Sequence, residues 1–280
     1  MRVGIGLPNT VPGTPGEVML AWAARAEQTR FPSLGVLDRI AFDSYEPFVA
    51  LAAAAAVTSS VRLVTMVVIA PIRSTALLAK QAASLDRLSG GRLTLGVSIG
   101  ARQDDYAVTE TDPGRRGRRL SEQLATFRAQ WEELAVGPAP VREGGPHLLV
   151  GGSSGQAFAR MARYADGYVH GGGPPRAFAG AAARARAAWS DLGRPGRPQL
   201  WGQGYFALGT DETERGAEYL RQYYAFTGPF ADKIAAANLT SPQSVKDFVR
   251  GYEEAGCDDL VLLPTTSDLT QVERLAEALG

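Results

Sequence analysis

Short apolar runs alternate with helical patterns along the whole chain. Eight runs have the length and residue types of strands, namely 2–7, 34–37, 61–70, 92–100, 147–152, 167–172, 199–208 and 259–264. The third run, VRLVTMVVIA, is apolar at consecutive positions rather than at alternate ones. A strand that is covered on both faces needs this pattern, and such strands belong to parallel sheets.

The segments between these runs carry the signals of helices. In residues 240–256, TSPQSVKDFVRGYEEAG, Ser241 suits the N-cap, Pro242 suits the first helical position, and Gly256 suits a left-handed stop. Another helix is predicted from an apolar stripe at helical spacing, which consists of Leu120, Leu124, Phe127, Trp131 and Leu134. Each predicted helix is followed by a predicted strand.

Strand and helix alternate eight times, which predicts an α/β fold in which residues 1–280 form a single (β/α)8 TIM barrel. A doubly wound open sheet is the alternative. The first strand continues as VGIGLPN, without GxGxxG and with Pro8 where a helix would begin, which disfavours that alternative. Two longer segments, roughly 101–146 and 209–257, are predicted insertions after strands 4 and 7.

Charge and composition limit the possible partners. Lys and Arg number 29, as do Asp and Glu, so no net field would gather nucleic acid or an anionic membrane. One cysteine, Cys257, and two histidines, His147 and His170, show no spacing typical of a metal site. No apolar stretch is long enough to span a bilayer, and Pro8 interrupts any signal-like start. We therefore expect a soluble cytoplasmic protein without metal, nucleic acid or membrane partners.

The fifth predicted strand ends in VGGSSGQAF, a turn of small residues. Gly151 and Gly152 would let the backbone approach a ligand closely, while Ser153 and Ser154 would offer hydroxyls and free N–H groups at a helix start. This arrangement has the form of an anion site. The same residues also suit a tight turn followed by a helix with a serine N-cap, and both interpretations stay open.

Charged side chains follow two other strands. Asp38 and Arg39 come after the second strand, where they suit either a substrate-facing pair or an exposed salt bridge. His170 follows the sixth strand and suits either a general base or a structural role. The basic run 115–119, RRGRR, is predicted to be a solvated helix start.

Several longer motifs resemble those of luciferase-like flavin-dependent oxidoreductases, the bacterial luciferase-like monooxygenase family. They include SLGVLDR, LLAKQAASLDRLSGGRLTLGV and HLLVGGSSGQAFARMARYADGYV. The resemblance extends over nearly the whole chain. It implies a barrel of the bacterial luciferase type, a homodimer, and a site for reduced FMN or the deazaflavin F420 at the carboxyl ends of the strands.

The resemblance also implies particular contacts. The cofactor phosphate would lie beside the loop after the fifth strand, at Gly151, Gly152, Ser153 and Ser154. The flavin ring would lie against Thr65, Met66, Val67, Ser98 and Gly100, with a non-proline cis peptide at Met66–Val67. Two departures from the family pattern are Arg39, where F420-dependent relatives often have histidine, and Ile99, where some FMN-dependent relatives have arginine. Arg102 is the candidate substitute for that arginine.

The implied activity is a monooxygenase reaction on a small organic substrate, using O2 and reduced FMN supplied by a separate reductase. The candidate catalytic residues are Asp38, Arg39 and His170, and residues 101–120 are expected to form a lid. One alternative is an F420-dependent reductase or dehydrogenase that transfers hydride. A second is a catalytically silent flavin-binding barrel.

Overall fold

The computed structural model describes residues 1–133 and 135–280, so Leu134 of the predicted apolar stripe lies outside the described residues. The strands are β1 (Arg2–Gly6), β2 (Ser33–Val36), β3 (Arg62–Thr65), β4 (Val68–Ile69), β5 (Leu93–Ser98), β6 (His147–Gly151), β7 (Gly167–Val169), β8 (Gln199–Phe206) and β9 (Asp259–Pro264). Every predicted run therefore overlaps at least one strand. The third run is divided into β3 and β4 by a cis peptide at Met66–Val67, as predicted.

The strands close into a barrel. Each strand pairs in parallel with its neighbours, in the order β3-β2-β1-β9-β8-β7-β6-β5-β4. The ring is completed because β3 also pairs with β5, where Leu63 lies opposite Leu93. With β3 and β4 counted as one interrupted strand, the result is the eight-stranded parallel barrel predicted from the sequence, and the open sheet is excluded.

Helices surround the barrel. They are α1 (Gly16–Gln28), α2 (Pro47–Ala56), α3 (Thr75–Leu88), α4 (Gln103–Val108), α5 (Arg116–Glu132), α6 (Gly155–Tyr164), α7 (Pro175–Asp191), α8 (Thr210–Tyr223), α9 (Phe230–Ala236), α10 (Pro242–Glu254) and α11 (Gln271–Leu279). The two predicted insertions contain α4 and α5 after the fourth barrel strand, and α8 to α10 after the seventh. No helix in the described ranges has an apolar stretch that could cross a membrane.

The start of α10 shows how closely local sequence determines structure here. The Ser241 hydroxyl accepts a hydrogen bond from the Ser244 N–H at 3.2 Å, and the Ser244 hydroxyl accepts one from the Ser241 N–H at 3.1 Å. Pro242 is the first helical residue, and Gly256 follows the helix with φ of 81°. The predicted cap, first position and left-handed stop are all confirmed.

The core has two parts, which follow from the alternation of side chains along each strand. Residues such as Leu63, Leu148 and Leu260 point outward and pack under the helices. A second group fills the barrel interior, including Val64, Leu149, Trp201, Val261 and Leu263. Tyrosines from α8 join this inner group, so the insertion after the seventh strand covers part of the mouth of the barrel.

Candidate cofactor site

A cavity of about 560 Å³ opens at the carboxyl ends of the strands. This volume lies within the usual range for small-molecule and cofactor sites, and this end of a (β/α)8 barrel is where such sites occur. The sequence-predicted residues that line it are Met66, Val67, Ser98, Gly100, Gly151, Gly152, Ser153, Ser154 and His170. Thus the fold brings together residues that follow the third, fourth, fifth and sixth barrel strands.

The turn between β6 and α6 forms one wall. Gly152 has φ of 130°, and a Cβ atom at this position would lie 2.8 Å from the Ala157 Cβ. Ser154 is the N-cap of α6, and its hydroxyl accepts a hydrogen bond from the Ala157 N–H at 3.2 Å. The exposed Ser153 hydroxyl makes no hydrogen bond with residues 1–133 or 135–280, so it is available to a ligand at this helix N-terminus.

Two arginines that are not among the predicted site residues also line the cavity. Arg160, on α6, is 9% exposed, and its Nε donates to the Ser121 hydroxyl at 2.8 Å. Arg116 is the first residue of α5, and its Nη1 is buried without a hydrogen-bond partner in the described part of the chain. Two guanidinium groups beside a helix N-terminus make this wall favourable for an anion.

The basic run 115–119 is therefore only partly a solvated helix start. The side chain of Arg118 is 62% exposed, as that prediction requires. The prediction is wrong for Arg116, which turns into the cavity. Nothing in the local pattern distinguishes these two arginines, because the difference arises from how α5 packs against the barrel.

Thr65 and Arg102 do not reach the cavity wall. The Thr65 hydroxyl is fully buried, where it donates to the Gly96 carbonyl and accepts from the Gly96 N–H, both at 2.8 Å. Arg102 donates to the Tyr223 carbonyl at 2.9 Å, and its Cζ lies 4.2 Å from the centroid of the Tyr223 ring. Thr65 thus joins β3 to β5, and Arg102 is held against Tyr223 at the roof of the barrel.

Asp38 and Arg39 are also absent from the cavity wall, and they do not pair with each other. The Asp38 carboxylate accepts from Arg73 at 2.6 and 3.0 Å and from the Ile69 N–H at 2.7 Å. Arg39 donates through Nε to Asp105 at 2.8 Å and through Nη2 to Asp104 at 2.6 Å. Both side chains are buried, so neither a substrate-facing pair nor an exposed salt bridge describes them.

His170 lies in the cavity wall with one ring nitrogen unused. Its Nδ1 is 3.3 Å from the Tyr168 hydroxyl, which donates to the Gly152 carbonyl at 2.9 Å. Nε2 is buried and has no partner among the described residues. Burial lowers the pKa of His170, so the ring is neutral at pH 7. With a proton on Nδ1 donated to Tyr168, Nε2 can accept a proton from a ligand.

The segment expected to form a lid is fastened to the barrel. Besides its ion pair with Arg39, Asp105 accepts hydrogen bonds from the Ile40 and Ala41 N–H groups, both at 2.8 Å. Tyr106, on the same short helix, is buried and donates to the Ile99 carbonyl. These contacts connect α4 to the loop after β2, so this part of the segment lies over the barrel and forms part of its roof.

These features define a class of protein: a (β/α)8 barrel with a cofactor-sized cavity that combines a basic wall beside a helix N-terminus with apolar residues. The sequence model of the family described as luciferase-like monooxygenase matches residues 1–255, and the chain belongs to this family. An uncharacterized protein of Mycobacterium tuberculosis is 36% identical over 138 residues, covering 44% of this chain and 49% of that protein. The chain thus matches about half the length of such curated relatives.

Solved structures agree in fold. The monooxygenase RslO1 from Streptomyces bottropensis is 21% identical, with a TM-score of 0.79 over 100% of this chain and 98% of that one. An F420-dependent secondary alcohol dehydrogenase, solved with an F420-acetone adduct, is 16% identical, with a TM-score of 0.78 over 99% of this chain and 97% of that one. At these identities the likeness concerns the fold alone.

Proposed function

We propose that the protein is a luciferase-like flavin-dependent monooxygenase that oxidises a small organic substrate with O2 and reduced FMN supplied by a separate reductase. The observation that carries the proposal is the division of one cavity into an anion-binding wall and an apolar wall. A cofactor with a phosphate group and a flat ring needs both. Membership of the luciferase-like family supports the same choice.

The anion-binding wall would hold the phosphate. Ser153 and Ser154 would offer a hydroxyl and backbone N–H groups, and Arg116 and Arg160 would add charge-assisted hydrogen bonds. Gly152 keeps the approach open, since its left-handed φ and the nearby Ala157 leave no room for a side chain. The buried Nη1 of Arg116, which has no partner within the described ranges, would then be satisfied by the ligand.

The rest of the cavity would contact the ring and the substrate. Met66, Val67 and Gly100 lie in its wall, together with Ser98. When bound, reduced FMN would supply the electrons that activate O2. The apolar wall would exclude water from the reacting groups, and the fixed α4 segment would cover them.

His170 would accept and return the proton that is transferred during the reaction. Its neutral imidazole can take a proton at Nε2 and later return it, while the hydrogen bond to Tyr168 orients the ring. Asp38 and Arg39 would act on the reaction only by positioning loops, because their charged atoms are held by Arg73, Asp104 and Asp105.

A parallel titration tests the cofactor. The purified protein would be titrated under anaerobic conditions with reduced FMN and with reduced F420, and oxygen uptake would then be followed after air is admitted. Saturable FMN binding is expected, followed by oxygen uptake in which hydrogen peroxide is released more slowly than from free reduced FMN. Preference for F420 without oxygen uptake would replace the proposal with hydride transfer. FMN binding with hydrogen peroxide released as fast as from free reduced FMN would favour a silent flavin-binding barrel, and binding of neither would overturn the cofactor assignment.

Matched variants test the phosphate assignment. Arg116→Gln removes one charge from the cavity, and Arg118→Gln removes one from the solvated face of the same helix. We expect the first to weaken FMN binding about ten-fold or more and the second to leave it nearly unchanged. Equal affinities in the two variants would contradict the assignment of Arg116.

A further inference from the structure

A second cavity, of about 190 Å³, lies at the opposite end of the barrel. Its wall includes the first residues of four strands: Arg62, Leu93, His147 and Gln199. The other polar side chains in the wall include Asp86, Arg92 and Arg142. This is the amino-terminal face of the strands, so the cavity is separated from the candidate cofactor site by the filled barrel interior.

Two arginines, Arg62 and Arg92, place positive charge in this wall, and neither forms an ion pair with a carboxylate of the described residues. Arg62 is half-buried, and its guanidinium makes no hydrogen bond or ion pair with a described residue, although its Cζ lies 5.5 Å from the Trp201 ring centroid. Arg92 directs its N–H groups to neutral oxygens of Ala55, Thr58, Val61 and Ser89. Burial lowers the pKa of both arginines, and the nearby carboxylates of Asp259 and Glu27 offset this effect only in part.

Arg142 and His147 add further donors. Arg142 is exposed, its Nη1 lies 3.2 Å from His147 Nδ1, and its Nη2 is only loosely paired with Asp166 at 4.0 Å. The Nε2 of His147 is buried without a partner in the described ranges. Burial lowers the pKa of His147, so its ring does not add charge at pH 7. The remaining N–H groups of Arg142 are free to bind a ligand.

Asp86 gives the cavity one acceptor. The residue is 1% exposed, and its Oδ2 accepts from the Val141 N–H at 2.8 Å. Its Oδ1 is buried and makes no hydrogen bond of normal geometry with the described residues, although the Leu93 N–H is near enough to this carboxyl to oppose the rise in pKa that burial causes. A buried carboxylate oxygen without a donor is unfavourable, so a matching occupant must itself bring an O–H or N–H group.

We propose that this cavity binds a small oxyanion that carries a hydroxyl group, of the class of hydrogen phosphate. Its oxygens would accept hydrogen bonds from Arg62 and Arg142, and Arg92 would add charge. Its hydroxyl would donate to Asp86 Oδ1. The volume of about 190 Å³ admits such an ion with a few waters, given that a water takes about 30 Å³ in the liquid.

Calorimetric titration of the full chain at low ionic strength, with inorganic phosphate and with sulfate, tests this proposal. Sulfate has no hydroxyl at neutral pH, so it would leave Asp86 Oδ1 without a donor. We expect phosphate to bind about ten-fold more tightly than sulfate. Asp86→Asn should remove the preference, because an amide can donate to either ion.

Variants locate the site. Arg62→Gln, and independently the exposed Arg142→Gln, should weaken phosphate binding about ten-fold, whereas the exposed Arg163→Gln should not. Arg160→Gln keeps this cavity intact and removes only binding at the candidate cofactor site. Loss of all phosphate binding in Arg160→Gln, or equal affinity for phosphate and sulfate in the unaltered protein, would overturn the proposal. The cofactor proposal would stand in either case, since it depends on the other end of the barrel.

Discussion

The Arg73 guanidinium binds Asp38 with both of its terminal nitrogens, from Nη1 to Oδ2 at 2.6 Å and from Nη2 to Oδ1 at 3.0 Å. The side chain of Asp38 is fully buried and that of Arg73 is 9% exposed. The pair fastens the loop after β2 to the short 3-10 turn that follows β4. It therefore supports the strand ends from which the cavity is built.

Removing one charge of this pair should reduce the stability of the folded protein. Asp38→Asn keeps the shape of the side chain but leaves Arg73 buried without its main counter-charge, and we expect the free energy of unfolding to fall by about 3–5 kcal/mol. Glu46 also pairs with Arg73, but its side chain is 32% exposed, so Glu46→Gln should cost less than about 1 kcal/mol. Urea denaturation measures both, and equal losses would contradict this account.

The Gly152 backbone sets the shape of the wall that we propose binds the cofactor phosphate. Gly152→Ala forces a side chain into a left-handed conformation and within 2.8 Å of the Ala157 Cβ, and should reduce stability by about 1–3 kcal/mol. Gly155→Ala is the matched control, since a Cβ there meets nothing within 4 Å and alanine suits a helix. Thermal unfolding should show a lower Tm only for the first variant; unchanged Tm in both would refute the packing argument.

Variants of the two serines of this wall should distinguish helix capping from ligand binding. Ser154→Ala removes the N-cap of α6 and should cost about 1 kcal/mol of stability. Ser153→Ala removes an exposed hydroxyl that takes no part in the cap, and should leave stability unchanged while weakening reduced FMN binding. Denaturation and flavin titration of each variant check this. Loss of stability in Ser153→Ala, with flavin affinity intact, would reverse the assignment.

Because His170 is buried in its neutral form, we expect the protein to lose stability in mild acid. Burial lowers the pKa of His170, whereas an unfolded histidine has its ordinary value of about 6.5. Stability from keeping His170 neutral is thus present above pH 6.5 and is lost as the pH falls toward the lower, folded pKa, because only the unfolded chain has yet taken up the proton.

His170→Gln should accordingly reduce the dependence of unfolding free energy on pH between pH 7 and 5. The limiting contribution of one proton is about 1.4 kcal/mol per pH unit. His147, whose pKa is also lowered by burial, provides an independent case at the other end of the barrel, and the two effects should add. A slope in His170→Gln identical to that of the unaltered protein would contradict the prediction.

The barrel could be predicted from the sequence because its signals are local. Eight apolar runs, the consecutive apolar residues of the third run and the cap of α10 each depend on neighbours in the chain. The turn at Gly151 to Ser154 also carried its own signal, and it lies in the cavity. The family resemblance predicted the cis peptide at Met66–Val67, which no periodic pattern of residues indicates.

Which charged residues face the cavity is decided by packing between segments that are remote in the chain. Asp38 and Arg39 are adjacent in sequence, yet each binds a partner that is more than 30 residues away. Arg102 follows a barrel strand but is drawn to Tyr223 on α8, whereas Arg116 reaches the cavity from the start of α5. A basic residue near a strand end is therefore a weak predictor of a ligand contact until its competing partners are known.

The ring of Tyr223 connects loops from two different parts of the chain. Arg102 lies over it at 4.2 Å and Arg39 at 5.6 Å, and Phe42 meets it edge-on with a centroid distance of 5.3 Å. Loops that follow the second and fourth barrel strands are thus held against a helix that follows the seventh. A single side chain joins segments that are remote in the chain, so replacing this one ring would change the cover over the barrel mouth and leave the barrel strands unaltered.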